Sequence, residues 1–172
     1  MSNVDFDTTK RLAFKVKAAT SIAKLATSKA YKKPLEPPSC DPGDPAGLVT
    51  RSFRYKTRVL RVKCHAKVMV GLLKAMLKEP TIEVTADSES RFSGSYRTWD
   101  QQSNLYREYQ NGTGHKAAHP CLGYHRQGRA LDLLAATDAE KRAMSSVRMS
   151  GLRFYNGESF GDPPHWNLGI LG

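Results

Sequence analysis

The proline-rich stretch between residues 34 and 45 most constrains how this chain can fold. It holds five of the nine prolines in the sequence. Because proline fixes φ and has no amide donor, we predict a semi-rigid linker over residues 34–50. The linker separates an N-terminal arm, residues 1–33, from one compact domain, residues 51–172.

The arm is strongly basic and is predicted to be helical. Residues 10–33 contain eight basic and no acidic residues, with apolar side chains scattered among alanines. The helix propensity is good and the apolar stripe is narrow. This pattern fits a basic amphipathic helix, or an arm that becomes ordered only on a partner.

The basic excess lies entirely in the first half of the chain. Residues 1–79 hold 17 Lys and Arg against 6 Asp and Glu, whereas residues 80–172 hold 10 of each. A half of this composition favours a polyanionic partner such as nucleic acid, anionic lipid, an acidic wall polymer or a virion component. A solubilising surface explains the same charge equally well.

Location is predicted from targeting signals and cysteines. No apolar run approaches the roughly 18 residues that a membrane span needs. Basic residues interrupt the N-terminal stretch where the apolar region of a secretory signal would lie. The three cysteines form no Cys-x-x-Cys pair, so we expect no disulfide framework and a reducing compartment of synthesis. We expect a monomer made in the cytoplasm without a signal peptide.

The domain shows helical and strand-like patterns in irregular alternation. Hydrophobic spacing and two capping-box sequences, which begin at Thr98 and Thr137, predict helices over 56–79, 98–110 and 138–150. Alternating or short apolar runs predict strands near 82–86, 129–134, 152–155 and 165–170. The predicted fold class is α+β, with helices packed on a small, mainly antiparallel sheet and the basic arm in front.

Two histidine settings carry the candidate chemistry. His125 and Asp132 are seven residues apart with Gly128 between them, so they converge if the chain turns back once. Asp162 and His165 are three apart, and two prolines keep the backbone between them rigid. Neutral imidazoles and carboxylates are good zinc ligands, and catalytic zinc needs three protein ligands and an open position. On spacing alone, satisfied surface or core histidines are the commoner explanation.

The central motif is Gly123-x-His125-x-x-Gly128-x-Ala130-x-Asp132. It resembles the Ser-x-His-x-x-Gly-x-Ala-x-Asp motif of the zinc D-alanyl-D-alanine carboxypeptidases and dipeptidases and of the related phage L-alanyl-D-glutamate endopeptidases. Only the serine differs, and that serine is not a metal ligand in the family.

Two flanking motifs extend this resemblance over residues 56–172. Upstream, Ser95-Tyr-Arg97-Thr98 and then Gln102-Ser-Asn-Leu-Tyr106 are similar to the family's Gly-Tyr-Arg-Ser strand end and Gln-x-x-Leu-Tyr helix. Downstream, Asp162-Pro-Pro-His165-Trp166 is similar to the family's acid-x-x-His motif with its following aromatic residue. The three motifs occur in the family's order and spacing.

The resemblance implies a zinc peptidase that hydrolyses the peptide stem of bacterial peptidoglycan, with a DD-peptidase- or Hedgehog-like fold. It implies one zinc ion per chain, held by His125, Asp132 and His165, with Asp162 as the general base. Arg97 would direct its guanidinium at a substrate carbonyl or carboxylate and stabilise the oxyanion. The residues implied to contact substrate are Arg97, Ser95, Gln102, Tyr124 and Trp166.

The acid in the last motif separates branches of the family. The carboxypeptidases usually carry Glu there and the phage endopeptidases Asp, so Asp162 favours an endolysin or virion-associated lysin that cuts L-Ala–D-Glu. Such a protein reaches the wall after lysis or in a virion. The alternatives are a D-Ala-D-Ala carboxypeptidase and, from another class, a catalytically silent protein that binds wall or nucleic acid.

Other polar residues near the motifs receive structural interpretations. His115, His119 and Cys121 are interpreted as loop residues, because no second matched pair completes a zinc site. His65 is assigned a structural role in the first predicted helix. Glu158 is the substitute acid if Asp162 lies away from the site.

Overall fold

The computed structural model describes residues 4–35, 37, 39–55, 57–87, 93–134, 137–157 and 162–170. Within these ranges, the side chains of residues 4–11, 55, 134, 162, 163 and 170 are not described. The helices of the described chain are α1 (Val4–Ala26), α2 (Lys29–Lys32), α3 (Ala66–Lys78), α4 (Trp99–Gln110) and α5 (Asp138–Ser145). Its strands are β1 (Leu48–Tyr55), β2 (Arg58–His65), β3 (Glu83–Val84), β4 (Ala130–Leu134), β5 (Arg148–Met149), β6 (Leu152–Gly157) and β7 (Asp162–Ile170).

Two antiparallel sheets organise the domain. Strands β1 and β2 form a hairpin in which Leu48 pairs with His65 and Tyr55 with Arg58. The second sheet has five strands in the order β3-β4-β7-β6-β5, and every neighbouring pair is antiparallel. The α+β class with a small antiparallel sheet, predicted from the sequence, is confirmed.

Helix α3 lies at the centre of the hydrophobic core. Its residues Val68, Met69 and Leu72 have no exposed surface. They share one cluster with side chains from the five-stranded sheet, namely Leu131, Leu133, Phe154, Trp166 and Leu168. Gly71 permits the close approach of helix and sheet, since a Cβ there would lie 2.6 Å from Phe154 Cε2. This packing holds β4 and β7 rigidly, and those two strands carry part of the candidate site.

The predicted helix over residues 56–79 is wrong in its first half, where the chain forms β2. Side chains in this strand alternate, with Leu60 and Val62 buried and Val59 and Arg61 exposed. A two-residue period with β-branched residues favours a strand when a partner strand is available. That partner is β1, which begins inside the predicted linker and was not predicted.

The junction between β2 and α3 explains where the helix begins. His65 is the N-cap residue, and its Nδ1 accepts the backbone N–H of Lys67 at 3.1 Å. The His65 backbone N–H donates to the carbonyl of Gly128 at 2.8 Å, and the Ala66 N–H donates to the carbonyl of Gly47. His65 is therefore structural, as predicted, although it caps the helix instead of lying within it.

The remaining predicted elements are confirmed with shifted ends. Both capping boxes are present, at Thr98 of α4 and Thr137 of α5. Helix α5 ends at Ser145 instead of residue 150, because β5 and a turn at Ser150 and Gly151 occupy the rest. These two residues have positive φ values of 45° and 79°, which no helix contains. Strand β3 is shorter than its prediction, and β4, β6 and β7 extend over the predicted strand regions.

The basic arm is helical and packs on the domain. Ala18 and Leu25 of α1 are buried, and Phe14 and Ile22 are half-buried against the same core. The contacts of α1 are mainly with α3. Among the residues that the structure describes, no helix combines the length and the apolar composition that a bilayer span requires.

A disulfide joins Cys40 to Cys121, which corrects the expectation of no disulfide framework. The two residues are separated by 81 positions and lie in the linker and in the loop between α4 and β4. We call residues 39–44 the linker strap. Arg126 also holds the strap, because its guanidinium donates to the carbonyl oxygens of Asp41 and Gly43. Cys64 is free and buried.

Candidate metal centre

Neighbouring strands place Asp132 directly opposite His165. The two residues are Cα partners in the antiparallel pairing of β4 with β7. Side chains of directly opposed residues project from the same face of a sheet, with Cβ atoms about 4.5–5.5 Å apart. The sheet register therefore brings together two residues that are 33 positions apart in the sequence.

A tight turn brings His125 to the same place. The turn closes with hydrogen bonds from the Gly128 N–H to the His125 carbonyl and from the Arg129 N–H to the Tyr124 carbonyl. Gly128 has φ +64°, and a Cβ on it would lie 2.5 Å from Leu48 Cδ2. Only glycine meets both conditions. The single reversal of the chain that the sequence predicted between His125 and Asp132 is confirmed.

The three donor groups converge on a small space. His125 Nε2 lies 3.1 Å from His165 Nδ1 and 3.2 Å from Asp132 Oδ1. The separation between His165 Nδ1 and Asp132 Oδ1 is 3.5 Å. Both imidazoles are buried and Asp132 is half-buried. A group of this kind can hold a metal ion.

Hydrogen bonding fixes the direction of the His125 lone pair. His125 Nδ1 lies 2.8 Å from the carbonyl oxygen of Ser95, so this nitrogen is the donor and Nε2 offers its lone pair to the site. Burial lowers the pKa of His125, although the nearby Asp132 carboxylate acts in the opposite direction. The imidazole is therefore neutral near pH 7, which is the form that binds metals.

The Asp132 carboxylate is ionised in spite of its partial burial. Burial raises its pKa, but the neighbouring imidazoles of His125 and His165 lower the pKa further than burial raises it. No hydrogen bond of good geometry reaches buried Asp132 Oδ1 from the described residues. A buried oxygen of this kind needs a compensating partner, and a cation between the two imidazoles would provide one.

A backbone shelf at residues 93–95 supports Asp132 from behind. The Asp132 N–H donates to the Gly94 carbonyl at 2.6 Å. A Cβ on Gly94 would lie 2.9 Å from Asp132 Cβ, so glycine permits this close approach. Gly94 and Ser93 were not predicted as site residues. The signal that could have found them is the glycine between two serines just before the Arg97 motif.

Arg97 stands beside the donor group, held by its own contacts. Its Nε donates to the Ser93 carbonyl at 2.7 Å and its Nη1 to Gln102 Oε1 at 3.3 Å. Its Nη2 lies 3.8 Å from Asp132 Oδ2. The neutral oxygens of Ser93 and Gln102 fix the orientation of the guanidinium, and the Asp132 carboxylate is its anionic neighbour.

A cleft of about 650 Å³ opens over the donor group. Its wall comes mostly from the loop between α4 and β4, and its lining residues are Arg97, Gln102, His115, Lys116, Ala117, Ala118, Leu122, Gly123, Tyr124, His125 and His165. Tyr124 is partly exposed, and its ring centroid lies 6.3 Å from that of His165. Arg97 and Lys116 give the cleft positive charge, and Leu122 and Tyr124 give it apolar surface. This combination suits a ligand that carries both a carboxylate and alkyl groups.

Four of the five predicted substrate contacts lie at or behind the cleft wall. Tyr124, Arg97 and Gln102 line the cleft. Gln102 is buried and connects Arg97 to the Ala118 carbonyl, to which its amide donates at 2.7 Å. Ser95 is fully buried, and its carbonyl holds His125 in place. Gln102 thus holds a cleft wall, and Ser95 orients the His125 ring.

Trp166 lies in the core and has no exposed surface. It follows His165 on β7, and successive strand residues face opposite sides of the sheet. The strand therefore directs His165 to the cleft and Trp166 into the hydrophobic core. The Trp166 side chain can support the site only through packing.

The remaining candidates lie on the cleft wall, elsewhere in its loop, or outside the described side chains. The backbone of Asp162 begins β7, three residues before His165 and about 10 Å along the strand, but its side chain lies outside the described residues, as does Glu158 as a whole. His115 lines the cleft. His119 is a loop residue whose ring packs edge-on against Tyr106.

Comparisons with protein-family models, with curated proteins and with solved structures found no match for this chain.

Proposed function

We propose that this chain is a zinc-dependent peptidase that hydrolyses the peptide stem of bacterial peptidoglycan. One observation carries the proposal: His125, Asp132 and His165 converge, and both histidines line a cleft together with Arg97, whose guanidinium lies beside Asp132. These four residues are also those that the resemblance to the zinc D-Ala-D-Ala peptidases selects. Geometry and motif therefore agree on the same atoms.

The donor set fits one zinc ion better than other common metals. Two imidazoles and a carboxylate give the three-ligand set typical of catalytic zinc, which leaves a fourth position for a ligand or substrate. A tetrahedral ion bonded at about 2.0–2.1 Å places its ligand atoms roughly 3.3–3.4 Å apart. The three separations of 3.1, 3.2 and 3.5 Å lie around that value. Calcium and magnesium prefer sites built from more oxygen ligands.

Two side chains, in addition to the metal ligands, would take part in the proposed hydrolysis. When bound, zinc supplies Lewis-acid polarisation of a carbonyl and lowers the pKa of a water molecule that it binds. Asp162, as the acid of the acid-x-x-His motif, would accept a proton from the attacking water and return it to the leaving amine. Arg97 would donate to the carbonyl oxygen as negative charge develops on it.

The character of the cleft supports a stem peptide as substrate. Arg97 and Lys116 present positive charge, and Leu122 and Tyr124 present apolar surface. A stem peptide offers free carboxylates and short alkyl side chains, which match both. The aspartate in the last motif favours the L-Ala–D-Glu bond, and hence a lysin that meets the wall after lysis or from a virion.

Digestion of isolated peptidoglycan tests the proposal directly. We expect new L-Ala carboxyl ends and D-Glu amino ends by mass spectrometry, and we expect them to disappear with a zinc chelator and return with added zinc. Release of terminal D-Ala instead would assign the D-Ala-D-Ala carboxypeptidase activity. No product from protein shown to contain zinc would refute the peptidase.

A matched pair of variants tests the role of Asp162. Asp162→Asn should lower the rate about 10²–10⁴-fold because proton transfer is lost, while zinc content is unchanged. Asp138→Asn removes an exposed carboxylate from the first turn of α5 and should leave the rate unchanged. A rate for Asp162→Asn within about twofold of wild type would exclude Asp162 as the base.

A further inference from the structure

The β1–β2 hairpin has two faces of opposite character. Directly opposed residues share a face, and the pairs Val49–Cys64, Arg51–Val62 and Phe53–Leu60 form the inner face. The three β2 residues among them, Leu60, Val62 and Cys64, are buried, and Val49 and Phe53 pack against the core. The inner face attaches the hairpin to the domain.

The outer face is formed by Thr50, Ser52 and Arg54 on β1 and by Val59, Arg61 and Lys63 on β2. All are exposed except Lys63, which is half-buried. We call these six residues the outer hairpin face. It carries three cations, of which Arg54 and Arg61 are exposed, and two hydroxyl groups.

The sequence of the hairpin reinforces this charge. Residues 48–65 contain six basic residues and no acidic residue. From outside the hairpin, Asp44 of the linker strap reaches Lys63, with a separation of 3.0 Å. Lys63 also lies over the ring of Tyr96, 4.6 Å from its centroid. Lys63 therefore holds the base of the hairpin, and Arg54 and Arg61 lie further along the outer face.

We propose that the outer hairpin face binds a flexible phosphodiester polymer that lacks bases, of the kind found in anionic cell walls. From the Thr50–Lys63 pair to the Arg54–Val59 pair, the outer hairpin face offers a basic track about 13 Å long. Arginine donates to phosphate through two parallel hydrogen bonds, and Thr50 and Ser52 add hydroxyl donors in the same row. The partner is thus recognised through its phosphates.

The six residues of the outer hairpin face include no aromatic ring, and this separates the proposed ligand from single-stranded nucleic acid. Proteins that bind single strands combine a basic track with aromatic rings on which bases stack. The outer hairpin face has no aromatic residue, and Phe53 belongs to the inner face. The choice of a wall polymer over duplex DNA rests on the proposed function, whereas the basic site itself does not.

The hairpin is also connected to the candidate metal centre. Leu48 at its base lies against Gly128, and His65 at its other end donates to the Gly128 carbonyl. A polymer on the outer hairpin face would therefore hold the cleft near the wall. Binding would keep the chain at its substrate between successive cuts.

Binding to poly(glycerol phosphate) tests the inference, with duplex DNA at the same phosphate concentration as the second ligand. Poly(glycerol phosphate) contains no peptide bond, so peptidase activity of the protein cannot affect the result. We expect binding at 50 mM salt that weakens steeply as salt rises, because bound counterions are released. We expect duplex DNA to bind more weakly.

Arg54→Gln with Arg61→Gln should weaken binding about tenfold or more and reduce the slope of log K against log salt by about 1.4. Arg54→Lys with Arg61→Lys should keep the slope. The charge-matched control is Arg107→Gln with Arg142→Gln, which removes two exposed cations from α4 and α5.

Three results would overturn the inference. Equal weakening in the hairpin and control variants would show that net charge, and not this face, drives binding. Absence of binding at 50 mM salt would remove the site. Tighter binding to duplex DNA than to poly(glycerol phosphate) would replace the wall polymer with nucleic acid. Thermal melting of each variant checks that the hairpin remains folded, and peptidoglycan digestion decides the proposed function separately.

Discussion

Removal of the Cys40–Cys121 disulfide should destabilise the protein without unfolding it. The bond fastens the linker strap to the loop that forms most of the cleft wall. Non-covalent contacts hold the same strap: Arg126 donates to two strap carbonyl groups, and the Tyr96 hydroxyl donates to Asp44 Oδ1 at 2.5 Å. These contacts persist after reduction, so the strap should stay close to its position while the unfolded chain gains freedom.

The magnitude follows from the length of the closed loop. For a separation of 81 residues, the chain-entropy relation gives roughly 4.5 kcal/mol at 25 °C, which is an upper value because disulfides commonly deliver about 2–4 kcal/mol. For a protein of this size, about 2–4 kcal/mol corresponds to a fall of roughly 4–16 °C in Tm. We expect Cys40→Ser with Cys121→Ser to reach this range.

The assay compares urea unfolding of wild type and the double serine variant, with and without a non-chelating phosphine reductant, and with zinc concentration fixed. The reductant should lower wild-type stability to that of the variant and leave the variant unchanged. Denatured, unreduced wild type should titrate one thiol, from Cys64. Three thiols in that titration, or a variant within about 0.5 kcal/mol of wild type, would refute the reasoning.

Three further predictions concern the metal, a turn and an acid. Asp132→Asn should weaken zinc affinity at least about 100-fold, measured by competition with a chromophoric chelator, because the anionic ligand is lost; unchanged affinity would exclude Asp132 as a ligand. Gly128→Ala should lower the free energy of unfolding, measured in urea, by about 2–3 kcal/mol, and the matched Gly112→Ala by about 1 kcal/mol. Both glycines have positive φ, but of the two only Gly128 is crowded by neighbouring atoms. Equal losses in the two variants would contradict the packing at Gly128. The hydrogen bond from Tyr96 is the main cause that lowers the pKa of Asp44 below 3.8. Asp44 therefore stabilises the fold above that pH and loses its contribution as the pH falls through its lowered pKa. In Asp44→Asn, the melting temperature should depend less on pH below about pH 4 than it does in wild type. The lost contribution to stability should be under about 1 kcal/mol, because this carboxylate is exposed. A pH profile identical to that of wild type would exclude this role of Asp44.

Local rules determined a large part of the fold from the sequence alone. Both capping boxes, at Thr98 and Thr137, began their helices where predicted, because an N-cap is decided by side chains three residues apart. The convergence of His125 and Asp132 was likewise predictable, since Gly128 permits a single reversal and the short run after it forms a strand. The α+β class followed from the alternation of these elements.

Longer-range contacts decided what the sequence left open. Residues 58–65 carry both a helical and a strand period, and only pairing with β1 selects the strand. The Cys40–Cys121 bond depends on where the linker strap lies over the domain, and cysteine spacing carries no such information. The register of β4 against β7 sets His165 against Asp132 and directs Trp166 into the core.

One physical reason explains why some features were determined by the sequence and others by the tertiary structure. Capping, turn formation and side-chain alternation are set by interactions between residues a few positions apart, so the sequence expresses them directly. Strand partners, disulfide partners and the facing of a side chain are set by which distant surfaces bury each other. That choice is made by the whole core at once, and it placed the three donor groups within 3.5 Å of one another.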